Sequence, residues 1–234
     1  MYSQASRKFL GPMIAALSLL PMWKSVAEAQ DGSVSLIAPP PAPPPGQWLL
    51  CAVEGGECHI QGRQMVRYGV EGHWVYGSTT TPLHCSNATF GDPSPGTRKS
   101  CYFLEPRPVA PPWTRCGVEG GNCNILHREL VRYGTAGAWV YGIFNSTFSC
   151  TNANFGDPKV GVRKECYYHA PPPQGPWRVC AVEGGRCNFV GRAYVRYGTT
   201  DNWVYGAAVG GIACNNATFG DPRVGTVKRC YFTR

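Results

Sequence analysis

Histidine is scarce in this 234-residue chain, with five in all, and none of them returns at a matching place when the sequence is compared with itself. His73 and His127 each stand alone. A zinc site is disfavoured on that ground and because no closely spaced Cys pair occurs. Charge is thin as well, at 15% of residues, and the basic residues are scattered singly. With no Lys/Arg run and no basic amphipathic helix, nucleic-acid binding is not indicated. Helical periodicity is missing throughout. The apolar run Phe9–Trp23 is too short to read as a membrane span, and Pro12 and Pro21 interrupt it.

What the chain has in excess is cysteine in register. Cys51, Cys58, Cys85 and Cys101 are separated by 7, 27 and 16 positions. Cys116, Cys123, Cys150 and Cys166 repeat those steps, as do Cys180, Cys187, Cys214 and Cys230. One structural unit is therefore written three times. An even number of cysteines behind an export signal implies disulfides formed in an oxidising compartment. Cys58 and Cys85 are equidistant from the middle of the Gly69–His73 turn, so the spacing predicts nested pairs: Cys58–Cys85 inside Cys51–Cys101. The same pattern gives Cys123–Cys150 inside Cys116–Cys166, and Cys187–Cys214 inside Cys180–Cys230. Four cysteines allow three connectivities, and spacing alone leaves the other two open.

Residues 1–29 read as a signal peptide, with Arg7 and Lys8 before the apolar run and Ala27-Glu28-Ala29 as the cleavage pattern. The expected product is secreted, extracellular or periplasmic, and carries no membrane insertion. Loss of Arg7, Lys8, Lys24 and Glu28 would lower the formal charge from +8 to +6. A Pro-rich spacer, 30–47, precedes repeats at 48–112, 113–176 and 177–234. In the first repeat four strands are predicted: Trp48–Val53, Cys58–Tyr68, Trp74–Cys85 and Arg98–Phe103. Twelve strands in three equal units predict an all-β, disulfide-stapled β-trefoil over 48–234. Three small independent β modules on proline joints are the alternative.

Residues that recur in all three units divide into core and site. Gly55, Gly56, Gly69, Gly77 and Gly96 are read as turn glycines, and Trp48 and Phe90 as filling the barrel or its base. Asn87 and Asp92 are read as serving local loop hydrogen bonds. Trp74 and Tyr76 project to one face of a strand and Val75 to the other, which predicts an exposed aromatic plane. Such a plane suits the C–H face of a sugar ring. Glu54, beside two glycines, is the matching carboxylate, able to accept from two adjacent hydroxyls; its alternative is an ion pair with Arg63 or Arg67. The candidate sites are thus Glu54/Trp74, Glu119/Trp139 and Glu183/Trp203. Three weak sites acting together would hold a polymer through effective concentration.

The repeated pattern Cys-Ala-x-Glu-Gly-Gly-x-Cys … Val-Arg-Tyr-Gly … Trp-Val-Tyr … Phe-Gly-Asp-Pro … Lys-x-Cys-Tyr resembles repeats of secreted microbial carbohydrate-binding modules, in particular trivalent β-trefoil modules that bind β-glucans. The resemblance covers residues 48–234. It implies one Trp-and-Glu site per lobe and a non-catalytic, lectin-like monomer without cofactor, whose partner is polysaccharide or a cell-surface glycan. The long proline joints and the absence of an attached glycoside hydrolase depart from that family. A glycosidase reading of Glu54 with Asp92 is weaker, since three copies of one active site on a small scaffold would be unusual. The stronger rival is a disulfide-rich protein-interaction, adhesion or inhibitor module, for which a continuous apolar patch crossing repeats would speak.

Overall fold

The structure is a computed structural model and describes residues 34–40, 46–107 and 112–234. The expected signal peptide, 1–29, lies outside the described residues, as do parts of the spacer and of the first proline joint. After a short strand β1 (Ser35–Ile37), the first repeat runs β2 (Gln47–Val53), β3 (Glu57–Cys58), β4 (Gln64–Val70), β5 (His73–Thr79), β6 (Leu83–His84), a helical turn α1 (Asn87–Phe90) and β7 (Ser100–Glu105). The second has β8 (Thr114–Val118), β9 (Asn122–Cys123), β10 (Glu129–Thr135), β11 (Ala138–Phe144), β12 (Phe148–Ser149), α2 (Asn152–Phe155) and β13 (Glu165–Tyr168). In the third, β14 (Arg178–Val182) is followed by a long hairpin of β15 (Arg186–Thr199) and β16 (Asn202–Ala213), then α3 (Asn216–Phe219) and β17 (Arg229–Thr233).

Each repeat folds onto itself. Its first, last and two middle strands make one antiparallel sheet, in the order β5-β4-β7-β2 in the first repeat, β11-β10-β13-β8 in the second and β16-β15-β17-β14 in the third. A β-trefoil needs strands of neighbouring lobes to pair in a shared six-stranded barrel. Among the described residues every ladder between β2 and β17 joins strands of one repeat, so the trefoil expectation is not met. Separate beads are not the outcome either. β11 packs on β2 and β16 packs on β8, which ties each repeat to the next. The fold is all-β, in several small sheets in contact.

The disulfides correct the sequence expectation. They join Cys51–Cys58 and Cys85–Cys101, Cys116–Cys123 and Cys150–Cys166, and Cys180–Cys187 and Cys214–Cys230, with no free cysteine. The backbone of β2 does reach β7, but Cys101 stands opposite Ala52, and the register shifts between Leu50 and Ala52. Cys51 is the extra residue of that bulge, and a bulge re-aims its side chain. The Glu-Gly-Gly turn then brings Cys58 back within a Cα separation of 4.9 Å. The same shift flanks Cys116 and Cys180. Each bridge closes a short loop, and constraint of the unfolded chain gives about 3 kcal/mol apiece. All but one of the twelve cysteines are buried, Cys180 being half-buried, and they pack with a fully buried tyrosine (Tyr68, Tyr133 or Tyr197) stacked on Phe90, Phe155 or Phe219. Each repeat is too small for a thick core, and the staples compensate.

Candidate functional site

Alternation along β4 decides where the chemistry goes. Arg67 and Tyr68 are neighbours and project to opposite faces of the sheet. Arg67 stands opposite Tyr76 on one side and Tyr102 on the other. Its guanidinium carbon lies 4.0 Å from the ring centre of Trp74, 4.7 Å from that of Trp48 and 5.0 Å from that of Tyr102. Arg132 repeats this with Trp139, Trp113 and Tyr167 at 4.1, 4.4 and 4.9 Å. Arg196 does so with Trp203, Trp177 and Tyr231 at 4.3, 4.8 and 5.0 Å. In all three the Nε is buried and has no hydrogen-bond partner, and ring faces surround the guanidinium, which at Arg132 also hydrogen-bonds Tyr141. Contacts of this kind, desolvated, contribute about 2 kcal/mol each. Burial pushes the Arg132 guanidinium below its ordinary value, against Tyr141 and Tyr167, which favour its charge.

The six tryptophans of these ladders are half-buried, as are Tyr76, Tyr141 and Tyr205 beside them. Trp74 and Tyr76 do share a face opposite Val75, as the alternation predicted. Trp48, however, does not fill a base; it is one leaf of the ladder.

The glutamates serve the other face. Tyr68 donates its hydroxyl to Glu54 Oε1 at 2.8 Å, and the backbone N–H of Lys99 donates to Glu54 Oε2 at 3.0 Å. The Lys99 ammonium is 3.5 Å from Glu54 and 3.1 Å from Asp92, and it donates to the Thr97 carbonyl at 2.8 Å. Its side chain is 3% exposed. Asn87 Oδ1 lies 2.8 Å from the same Tyr68 hydroxyl, whose single proton it shares with Glu54, and the Asn87 amide donates to Asp92 at 3.3 Å. Glu119 with Lys164 and Asp157, and Glu183 with Lys228 and Asp221, make the same arrangement. The Lys99 N–H, then the Tyr68 hydroxyl and the Lys99 charge, hold the Glu54 carboxyl below its ordinary value. At Glu119 and Glu183 burial pushes upward, but the corresponding N–H, tyrosine and ammonium outweigh it and the carboxyls are again lowered. A buried ammonium between two carboxylates anchors the 91–99 loop, and with it the chain's return into β7.

The expected composite sites are therefore not assembled. Glu54 is partnered by Tyr68 and Lys99, Trp74 by Arg67 and Tyr102, and the sheet lies between them. Glu54 pairs with neither Arg63 nor Arg67. The local role expected for Asp92 is seen, since it accepts from the Ser94 N–H at 3.1 Å. The residues missed were Arg67, Arg132 and Arg196 as the centre of an aromatic stack, and Lys99, Lys164 and Lys228 as the glutamates' partners. Both recur in the sequence at fixed places, in Val-Arg-Tyr-Gly and Lys-x-Cys-Tyr. Knowing which partner each takes required the register.

Between the second and third repeats a cavity of about 270 Å³ is lined by Ile125, Tyr168, Pro172, Tyr194 and Ala207, among others. His127 and Glu129, 2.7 Å apart, lie at its edge. Burial raises the Glu129 carboxyl against the opposing charge of His127. Among the described residues no group of three or more His, Cys, Asp or Glu is placed to hold a metal, and no helix is long and apolar enough to cross a membrane.

No family model matches the sequence. The chain is similar to an uncharacterized protein, L701, of Acanthamoeba polyphaga mimivirus, with 31% identity over 103 residues that cover 37% of this chain and 50% of the relative. It thus spans about half the length of the curated relative it matches.

Proposed function

We propose that the protein is a secreted, non-catalytic carbohydrate-binding protein that holds polysaccharide, a β-glucan first among candidates, on the three Trp–Arg–Tyr faces. The observation that carries this reading is the threefold recurrence of a half-exposed tryptophan, Trp74, Trp139 or Trp203, held in place by a stacked guanidinium. A sugar ring needs a rigid aromatic plane with polar groups at its margin. Here the guanidinium fixes the indole, and the hydroxyls of Tyr76, Tyr141 and Tyr205 lie on the same face. The choice of β-glucan rests on the resemblance of the repeats alone. Glu54, Glu119 and Glu183, whose oxygens are already taken by internal donors, are assigned to the scaffold. Three equivalent faces joined on one chain would raise retention on a polymer by about 10²–10⁴ over a single face. Six disulfides suit an oxidising, exported setting.

The test is retention of the full chain on a panel of insoluble and soluble polysaccharides. Trp74→Ala/Trp139→Ala/Trp203→Ala is run beside Glu54→Gln/Glu119→Gln/Glu183→Gln, each checked for fold by circular dichroism. Tyr76→Phe/Tyr141→Phe/Tyr205→Phe removes only hydroxyls and guards against a tryptophan variant that unfolds. Loss of binding in the tryptophan set, a weaker loss in the tyrosine set and retention in the glutamine set support the reading. A wild type that ignores every glycan, or a folded tryptophan variant that binds as well, overturns it. Loss confined to the glutamine set would move the site to the opposite face. A protein-interaction role is favoured by one separate observation, the apolar end of the third repeat.

A further inference from the structure

The joint between repeats is built twice to one plan. Ile143 in β11 donates its N–H to the His59 carbonyl of the first repeat at 3.0 Å, and Ala207 in β16 donates to the Asn124 carbonyl of the second at 2.8 Å. The residue before each donor is glycine. A Cβ on Gly142 would stand 3.3 Å from the His59 oxygen, and one on Gly206 would stand 2.9 Å from the Asn124 Cβ. These glycines end the Trp-Val-Tyr-Gly motif. They lie mid-strand, not in turns, and they are there because the preceding repeat's backbone comes close.

Four positions on the preceding repeat make the joint. Leu50 packs into the second repeat's core, and its counterpart Arg115 donates from Nε to the Trp203 carbonyl at 3.0 Å. Val53 lines a groove with Trp139, and its counterpart Val118 is sunk in the third repeat's core at 2% exposure. His59 and Asn124 supply the carbonyls. The Gln61 carbonyl accepts from Arg128 at 3.0 Å, and its counterpart Leu126 lines the cavity with Tyr194. In the third repeat the same positions are Val179, Val182, Asn188 and Val190. Among the described residues nothing covers them, and the three valines are 55%, 50% and 84% exposed.

At the other end of the chain the receiving surface is plugged. Gly77 is the counterpart of Gly142 and Gly206, and a Cβ there would meet Val34 and, at 3.1 Å, the Ser35 carbonyl. β1 pairs with β5 through Ser35 opposite Ser78, Leu36 opposite Gly77 and Ile37 opposite Tyr76. The chain's own N-terminal strand therefore sits where a preceding repeat would sit. It is three residues long and all three are exposed, so its hold rests on this short ladder and on Val34, which packs against the first repeat's core.

From this we infer that the Val179–Val182–Asn188–Val190 face of the third repeat is a docking surface for the first repeat of a second copy of this chain, which binds when β1 leaves β5. The contact is heterologous, and within one chain it does not close, since β1 and not the third repeat sits on Gly77; copies joined through it would add head to tail into an open linear assembly. The same joint already operates twice inside one chain, and this is what identifies the occupant. β1 acts as a plug that keeps the free chain from associating until it is displaced. The inference is independent of the glycan reading.

Sedimentation velocity on the full chain over a concentration series tests it. Ser35→Pro/Ile37→Pro removes two of the three N–H groups of β1 and disfavours its ladder with β5, and is expected to lower the concentration at which the chain associates by about ten- to hundredfold, because the competent form no longer competes with the plug. Species should grow without a fixed upper size. Val182→Asp, at an exposed position, should abolish association in either background. A chain carrying all three substitutions keeps a free head and no tail, and mixed with wild type it should give a 1:1 complex that stops there. A folded Ser35→Pro/Ile37→Pro chain that stays monomeric, association that survives Val182→Asp, or a closed dimer overturns the inference.

Discussion

The two joints inside the chain share a plan and differ in how tightly they close. Between the second and third repeats Gly121 lies against the backbone of Gly220, and Val118 is buried beneath it. Arg115, Asn122, Asn124 and Arg163 all donate across that joint, to the carbonyls of Trp203, Ala217, Thr218 and Asp221. Between the first and second, the counterpart glycines, Gly56 and Gly156, do not meet. His59 fills the space with its ring, 5.0 Å from Phe144 and 6.2 Å from Phe155, and a groove remains beside Leu50, Val53 and Trp139. The internal chemistry of the repeats is nearly the same three times over, while their joints are made by residues that vary. Equal modules need not be equally joined, and a variable position is where the difference is set.

The largest expected effect comes from forcing the tight joint open. A Cβ on Gly121 would fall 1.9 Å from the Gly220 nitrogen, so Gly121→Ala must push two backbones apart. A loss of about 3 kcal/mol or more is expected. Gly56→Ala comes closest to the Val53 carbonyl of its own turn, at 3.1 Å, with the Ala52 Cβ next at 3.5 Å, and should cost less than about 1 kcal/mol. Urea unfolding followed by tryptophan fluorescence compares them, and equal losses would mean that the two joints do not differ in closure. Next in size is the filled position against the open one. Val118→Ala, at 2% exposure, should cost about 2 kcal/mol, while Val182→Ala, at 50%, should stay within about 0.5 kcal/mol in dilute solution. A matching cost for Val182→Ala at low concentration would show that the third repeat's end is already covered within the monomer.

Much of each repeat was legible. Strand edges near Trp48–Val53 and Arg98–Phe103 are set by alternation and turn residues, and the observed strands, Gln47–Val53 and Ser100–Glu105, lie within a few residues of them. Period-two reasoning also put Trp74 and Tyr76 on one face. What alternation within a strand cannot give is which residue of another strand lies opposite. Glu54 and Trp74 looked like partners because both recur; the register sets Tyr68 beside the first and Arg67 beside the second. The nested disulfides failed for a related reason. A one-residue bulge at Cys51 turns a side chain without leaving a mark in the spacing. Gly77, read as a turn residue, was a sign of close approach by another backbone, and its place between Tyr76 and Ser78 in a β-rich run pointed that way. The arrangement of repeats depends on Leu50, Val118, His59 and Asn124, which do not all recur, so a search for common design passes over them.

The smallest effect is the most selective, because it separates the joints by pH. His59 is mostly withdrawn from water between the first repeat and Phe144 and Phe155, and its Nε2 has no hydrogen-bond partner. Burial lowers its proton affinity below the ordinary imidazole value of 6.5, against the opposing charge of Glu57 and a backbone hydrogen bond with Asn154. The unfolded chain then binds more protons than the folded one from about pH 6.5 down to the lowered value. Stability rises with pH across that window, so acidification weakens this joint and leaves the other, where Asn124 stands, untouched. His59→Asn should remove the acid-sensitive part of the melting curve between pH 7 and pH 5, a matter of a few degrees, and Asn124→His should transfer it to the second joint. The lowered carboxyls of Glu54, Glu119 and Glu183 lose their contribution only at lower pH, as they are protonated below their ordinary 4.5, and they are common to all three chains. Differences between the chains therefore isolate the imidazole. If His59→Asn melts with the same pH dependence as wild type, the ring is not what distinguishes the two joints, and the open groove beside Trp139 alone would have to account for it.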